Sequence, residues 1–342
     1  MDLIFSFDTE DYATPENADA TLWWATQLSE RGVRGSFQLV GELVRRLKAA
    51  GRGEVIDALR KHEIGTHTDF HSAHPTHPEA LEGKSLEEGV AWVLRHEARC
   101  QQELTETFGR VPVSYCKPGD SWTPATLIAM VYCDSSMIEA RGAPLWYAGM
   151  LCTRYDLAFD SFFSEDEGEA GRYRAEFDAR AARVGEQGVM IVYSHPNMLV
   201  TRRFWDEAYF KGRQVPPAEC PPAPLRPPAQ VQKLKDRIRS WIDFILSRPG
   251  VRTVDYATVY RERARNRRDL QVLLDECGLA PGEEGRLPLR APDGKSFLPD
   301  NAFDAFRYNW PVHAEGFDGR ALREQMRRLI WTSAPAPRND GR

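Results

Sequence analysis

The sequence predicts an α/β protein built on a mainly parallel β-sheet that is either open or closed into a barrel. Apolar segments of strand length alternate with helical segments over roughly the first 265 residues, a pattern typical of βα units. The clearest strand, at residues 189–193, is continuously apolar, as expected for a strand buried on both faces. After about residue 267 the alternation ends, which indicates a separate C-terminal segment.

Composition excludes several functional classes. The 342 residues carry a net charge of −5, which argues against nucleic acid or an anionic membrane as the main partner. No apolar stretch reaches membrane-spanning length. The N-terminus lacks the basic segment of a signal peptide, so we expect a cytoplasmic protein. The six cysteines include no CxxC pair, which favours packed, reduced thiols.

The first strand begins almost at residue 1 and ends in an unusual acidic cluster. Asp8, Glu10 and Asp11 place three carboxylates within four positions. An acidic surface turn would explain such a cluster when it is taken alone. Like charges at the end of a buried strand are otherwise costly, unless a cation or a catalytic task requires them.

The remaining elements follow in order. Further strands are predicted at residues 33–40, 63–67, 113–116, 131–133 with 137–138, 189–193 and 251–254. Helices are predicted at about residues 19–31, 42–49, 54–60, 85–108, from 124, 165–188, 231–245 and 255–265. The proline-rich residues 215–228 predict an extended connector. Residues 1–265 thus form one predicted domain, and residues 266–342 form an appendage with one helix and a partly disordered tail.

Polar residues follow several of these strands. His67 and His71 follow the third strand, Lys117 and Gly119 follow the fourth, and His195 follows the strand at residues 189–193. In a parallel sheet the carboxyl ends of the strands share one rim. We therefore expect these residues to meet the acidic cluster at a single site.

The residue types at this rim favour a metal-dependent hydrolase. His67 and His71 are four positions apart, and on a helical turn they would face the same way and bind one metal ion. Two histidines and one carboxylate form a known catalytic ligand set with open positions for water. A second carboxylate is then available as a base, and His195 could protonate a leaving group.

The same segments resemble the motifs of the polysaccharide deacetylases, which are metal-dependent carbohydrate esterases. Residues 6–11, SFDTED, are similar to the family's strand that ends in paired aspartates. Residues 33–42, VRGSFQLVGE, resemble its "VKATFFVVGE" strand, and residues 62–71, HEIGTHTDFH, closely match its "HEIGNHTxxH" motif. Residues 116–120, CKPGD, fall on "RxPxG", and residues 192–195, VYSH, fall on the buried strand that ends in Leu-His.

The resemblance implies a distorted (β/α) barrel with fewer than eight strands, and it implies roles for individual residues. Asp8 matches the catalytic base and His195 the general acid. His67 and His71 match metal ligands, with Asp11 as the expected carboxylate ligand and Glu10 as the alternative. The backbone N–H near Gly119 would help to bind the oxyanion.

The third motif departs from the family pattern. The arginine that orients the catalytic base falls on Cys116, and Lys117 is the residue that would replace its charge. Asp156 and Asp160 are candidates for the fourth motif.

We therefore expect one divalent metal ion, zinc first and cobalt, nickel or iron as alternatives. The expected reaction is hydrolysis of a C–N amide bond, with N-deacetylation of a small carbohydrate as the leading activity. The alternatives are hydrolysis of a non-sugar amide or ureide, and a non-catalytic scaffold that retains the fold. A homo-oligomer is compatible with the sequence.

Overall fold

A computed structural model of the protein describes residues 1–84, 86–119, 124–130, 133, 135–137, 145–147, 150–153, 155–164 and 166–266. The predicted appendage after residue 266, with its helix and tail, lies outside the described residues. None of the helices described is long and apolar enough to cross a membrane.

Strands and helices alternate through most of this range. The strands are β1 (Asp2–Thr9), β2 (Ser36–Leu39), β3 (Glu63–Thr66), β4 (Ser114–Cys116), β5 (Ser135–Met137), β6 (Leu145–Tyr147), β7 (Met150–Thr153), β8 (Leu157–Ala158), β9 (Val189–Ser194) and β10 (Arg252–Thr253). The helices are α1 (Asn17–Ser29), α2 (Gly41–Ala49), α3 (Gly53–Leu59), α4 (His77–Leu81), α5 (Leu86–Phe108), α6 (Pro124–Ala129), α7 (Glu167–Val184), α8 (Pro228–Leu246) and α9 (Tyr256–Asn266).

The strands form one sheet in the order β6-β7-β5-β4-β3-β2-β1-β9-β8, with β10 paired to β1. Every pairing in the described part of the chain is parallel except that of β6 with β7. Seven parallel strands in this part are longer than two residues, and β8 and β10 add two-residue pairings. The predicted class, an α/β distorted barrel with a mainly parallel sheet, is confirmed. The predicted number of fewer than eight parallel strands holds for the strands longer than two residues.

The first strand lies inside the sheet, third from the edge that β8 forms. Along one side β1 pairs with β9, and along the other its first residues pair with β10 and its last residues with β2. Its side chains from Leu3 to Asp11 are all buried. Phe7 packs on Phe37 of β2 at 4.7 Å between ring centroids and on Trp24 of α1 at 4.9 Å. Each such side chain stabilises the fold by about 1.5–3 kcal/mol, so the acidic cluster stands on a rigid base.

The structure differs from the sequence-based elements mainly between β4 and α7. The strand predicted near residues 131–138 is limited in the described residues to Ser135–Met137, and β6 with β7 forms an antiparallel hairpin. The hairpin was not predicted because each of its strands has only three or four residues, too few for a clear periodicity.

His62 is a buried histidine that belongs to the core and not to the site. Its Nδ1 accepts a hydrogen bond from the Gly35 N–H at 3.1 Å, and its Nε2–H donates to the Ala25 carbonyl oxygen at 2.9 Å. The neutral tautomer therefore satisfies both contacts. Burial lowers the pKa of His62 to about 4, so protonation costs the Gly35 hydrogen bond.

This arrangement predicts an acid-sensitive contribution to stability. Between about pH 6.5 and pH 4 the unfolded chain protonates His62 and the folded chain does not, so the free energy of unfolding decreases as the pH falls through this window. The full effect of His62 is roughly 3 kcal/mol. We expect urea unfolding to show that the free energy of unfolding at pH 7.5 minus that at pH 4.5 is lower in His62→Gln than in the wild type, by up to about 3 kcal/mol.

The comparison must be made between variants because Glu63 titrates in the opposite sense. Burial raises the pKa of Glu63 to about 7, so its contribution to stability increases as the pH falls towards 4.5. That contribution is common to the wild type and His62→Gln. An unchanged pH dependence in His62→Gln would contradict the assignment.

Candidate active site and metal centre

The strand ends meet at one open pocket of about 600 Å³. The pocket is lined by residues from the ends of β1, β3, β4 and β9, together with aromatic residues after β9; they include Asp8, Glu10, His71, Lys117, Gly119, Tyr155, His195, Phe204 and Phe210. Its volume is in the usual range for small-molecule sites. The rim expected from the sequence is therefore present in the structure.

The carboxylate of Glu10 lies between the two predicted histidine ligands. Its Oε2 is 3.1 Å from His67 Nε2 and 2.9 Å from His71 Nε2. All three side chains are at least nine-tenths buried. Burial alone would raise the pKa of Glu10, but the two imidazoles hold it well below its usual value. The ionised carboxylate and the two ring nitrogens can together hold a metal ion.

Outer contacts fix the orientation of each ligand. His67 Nδ1 donates to the Cys116 carbonyl oxygen at 2.9 Å. His71 Nδ1 is 2.5 Å from the Ser72 hydroxyl, which donates to Asp206 Oδ2 at 2.8 Å.

Partners on Nδ1 leave Nε2 of both rings directed at Glu10, which is how metal-binding histidines are usually held. Trp205 Nε1 donates to Glu10 Oε1 at 2.9 Å, so the carboxylate is also fixed from its other side. These residues fit a divalent metal ion of the zinc class.

The two histidines do not lie on a helical turn. Residues 67–71 form a loop in which Thr68 and His71 have positive φ angles of 68° and 54°. The first N–H groups of α2 hold this loop, because Gly41 N donates to the Thr68 carbonyl oxygen and Glu42 N to that of Asp69. A side chain at Gly41 would collide with Asp69. The close approach of α2 thus requires glycine and keeps the strained loop in place.

Asp11, the carboxylate preferred from the sequence, does not face this centre. Its Oδ1 accepts hydrogen bonds from Ala13 N at 2.9 Å and Thr14 N at 2.8 Å, so it closes the turn that leads into α1. Burial raises the pKa of Asp11 to about 6 against the effect of these hydrogen bonds. The geometry therefore favours Glu10, the alternative, as the carboxylate ligand. Successive side chains after a strand point in different directions, and that of Asp11 points into the turn before α1.

Asp8 and His195 face each other beside Glu10. Asp8 Oδ2 is 3.7 Å from His195 Nε2. On the other side of the ring, His195 Nδ1 is 2.5 Å from Asp160 Oδ2. Burial alone would lower the pKa of His195, but the charge of Asp160 and its hydrogen bond raise it to about 9. Of the two fourth-motif candidates, Asp160 therefore contacts the histidine, whereas Asp156 accepts a hydrogen bond from Ile191 N.

A tyrosine contacts Asp8 where the family pattern has an arginine. The Tyr155 hydroxyl donates a short hydrogen bond to Asp8 Oδ1 and lies 2.9 Å from the Cys116 sulfur. Burial raises the pKa of the Cys116 thiol to about 11, so the thiol keeps its proton. Lys117 lines the pocket and its ammonium donates to the carbonyl oxygen of Gly119. The shorter side chain at Cys116 thus leaves the contact with Asp8 to Tyr155.

Several residues of the site were not identified as such from the sequence. Tyr155, Ser72, Asp206 and Trp205 lie in no recognised motif. Trp205 is 2% exposed and donates a hydrogen bond to Glu10. The Trp205–Gly212 segment forms a 3₁₀ helix. Trp205 and Asp206 can be recognised as site residues only because this helix packs against the rim.

No protein-family model matches the chain, and no curated protein matches it either. Solved structures do share its fold. One is a probable polysaccharide deacetylase from Pseudomonas aeruginosa PAO1, with 13% identity over 77% of this chain and 91% of that chain and a TM-score of 0.50. Another is Puue allantoinase, with 14% identity over 77% and 90% of the two chains and a TM-score of 0.52. The chain therefore has the fold of the polysaccharide deacetylases, and the resemblance is confirmed at that level.

The placement of the two carboxylates predicts opposite results for two matched variants. Glu10→Gln should bind one zinc ion fewer per chain than the wild type, because a ligand charge is lost; we expect a decrease in affinity of more than about 100-fold at that site. Asp11→Asn should keep the wild-type zinc content. Elemental analysis after dialysis against zinc measures both. Zinc loss in Asp11→Asn with retention in Glu10→Gln would reverse the assignment.

Proposed function

We propose that this protein is a metal-dependent hydrolase of C–N amide bonds, and that its leading activity is N-deacetylation of a small carbohydrate. The observation that carries the proposal is the opposition of Asp8 and His195 beside the Glu10–His67–His71 group in one open pocket. An acid and a base beside a metal-ligand group are the parts that amide hydrolysis needs.

Glu10, His67 and His71 are the proposed ligands of one divalent cation, with zinc as the expected metal. Such a cation polarises a carbonyl group and makes water more acidic. The sequence-based choice of Asp11 as a ligand is not carried forward.

The protein's own side chains supply the proton transfers. Asp8, held by Tyr155, is positioned to accept a proton from the attacking water. His195 carries a proton at neutral pH because of Asp160, so it can donate that proton to the leaving nitrogen. The new C–O bond replaces the C–N bond, and the products are a carboxylate and an amine. The backbone near Gly119, at the pocket wall, is the proposed oxyanion contact.

The pocket entrance is suited to a substrate with apolar faces. Phe204 meets the His195 ring edge to face at 4.7 Å, and Phe210 is 54% exposed at the same pocket. Aromatic faces suit both the apolar face of a sugar ring and the plane of a ureide. A non-sugar amide or ureide is therefore the second candidate, and an allantoinase shares this fold.

A direct assay tests both candidates. Zinc-loaded protein should release acetate from N-acetylated glucosamine oligomers, and a ureide such as allantoin is assayed in parallel. His67→Ala should lose activity and one zinc ion per chain while the circular dichroism spectrum is retained. His74→Gln is the matched control, because His74 bonds Glu79 and the Tyr209 carbonyl oxygen instead of Glu10. Full activity in zinc-free His67→Ala would overturn the mechanism.

Tyr155 supplies a separate prediction for this chain. Removing the hydroxyl in Tyr155→Phe deletes a hydrogen bond to a charged group worth about 1.5–3 kcal/mol, so kcat should fall roughly 10- to 100-fold. Zinc content and KM should change little, since Tyr155 acts through Asp8. Steady-state kinetics and elemental analysis measure these quantities. A loss of kcat in Cys116→Ser together with wild-type kcat in Tyr155→Phe would show that the thiol, and not the phenol, positions the base.

A further inference from the structure

A second group of metal-ligating side chains lies on α4 and α5 and shares no residue with the active site. His77 Nε2 is 2.9 Å from Glu97 Oε1, and His96 Nε2 is 3.9 Å from the same oxygen. The three ligand atoms lie within 4.8 Å of one another. Two imidazoles and one carboxylate are again a donor set that zinc accepts.

The buried carboxylate of Glu97 is not fully satisfied by these histidines. Glu97 is 2% exposed, and within the described residues its Oε2 has no hydrogen-bond partner. The ion pairs of Glu97 in that part of the chain are those with His77 and His96. A buried carboxylate with an unpaired oxygen is costly unless a cation or further donors compensate it. A metal ion between Glu97 and the two rings would provide that compensation.

The two imidazoles are already oriented for such an ion. His77 Nδ1 lies 3.4 Å from the Thr126 hydroxyl of α6, which leaves Nε2 facing Glu97. The Trp92 ring stacks on His96 at 4.3 Å and 16°, and it meets His77 edge-on at 5.8 Å. Trp92 therefore forms an apolar wall that fixes both rings, as the outer contacts of metal sites commonly do.

The distances fit a tetrahedral ion. With Zn–N and Zn–O distances of about 2.0–2.2 Å, two ligand atoms of a tetrahedral site lie about 3.3 Å apart. The observed separations of 2.9 and 3.9 Å lie on either side of that value, so small side-chain rotations bring both nitrogens into range. His96 is 34% exposed, which gives an ion access from solvent and leaves an open position for water.

We propose that His77, His96 and Glu97 form a second divalent-metal site of the zinc class. Its role is structural, because it links the first residue of the short helix α4 to the middle of the long helix α5. One turn further along α5, the Cys100 thiol donates to the Thr68 carbonyl oxygen at 3.5 Å, in the loop between His67 and His71. The second site thus stabilises the helix that packs behind the active-site loop.

The test is the zinc stoichiometry of the full-length protein, measured by elemental analysis after metal removal and dialysis against zinc alone. The wild type should hold two zinc ions per chain, His96→Gln one, His67→Ala one, and the double variant none. His96 is chosen because it is partly exposed and its replacement leaves the His77–Glu97 contact intact. His74→Gln, the neighbouring histidine outside both groups, should keep two.

A second measurement separates metal binding from a merely structural hydrogen bond. In the His67→Ala background, added zinc should raise Tm, and this rise should vanish when His96→Gln is added. Two zinc ions in His96→Gln, or no zinc-dependent rise in Tm in His67→Ala, would overturn the second site. If His67→Ala loses zinc but His96→Gln holds as much zinc as the wild type, the active-site metal centre is supported and the second metal site is excluded.

Discussion

The site depends on one costly feature, the ionised carboxylate of Glu10 buried at the end of the first strand, β1. Two imidazoles and an indole N–H surround it and offset its desolvation. Each of these groups comes from a different part of the chain. The contacts with the carboxylate therefore hold the end of β3, the following loop and the Trp205–Gly212 helix against the end of β1. The buried apolar length of β1 supplies the rigid base that this arrangement requires.

Around this centre, each reactive side chain is oriented by a partner that lies farther from the pocket. Asp160 holds His195, Tyr155 holds Asp8, and Ser72 with Asp206 holds His71. Such partners fix tautomers and ring directions, so the reacting groups need little reorganisation. Cys116 stands at the position expected for an arginine, and the contact with the Asp8 carboxylate comes instead from the phenol of Tyr155, which lies between β7 and β8.

The two histidine groups represent two solutions to the same electrostatic problem. At Glu10 both imidazoles contact one oxygen and Trp205 contacts the other, so the carboxylate is satisfied within the described chain. At Glu97 one oxygen has two histidine neighbours, and the other has no hydrogen-bond partner among the residues that the structure describes. The first group opens to a pocket and suits chemistry, whereas the second joins two helices and suits a structural ion.

The parallel α/β fold, the shared rim and most of the candidate residues on it could be predicted from the sequence alone. Hydrophobic periodicity and the order of strands are local properties, and parallel strands necessarily bring their carboxyl ends together. The choice between Glu10 and Asp11 required the folded structure, because it depends on which way each side chain turns after β1. The contacts of Tyr155, Trp205 and Asp160 also required it, since hydrogen bonds between residues roughly 35 to 200 positions apart leave no periodic signal in the sequence. The loop at residues 67–71 shows the same limit, because its left-handed residues are held by α2 and not by their own sequence.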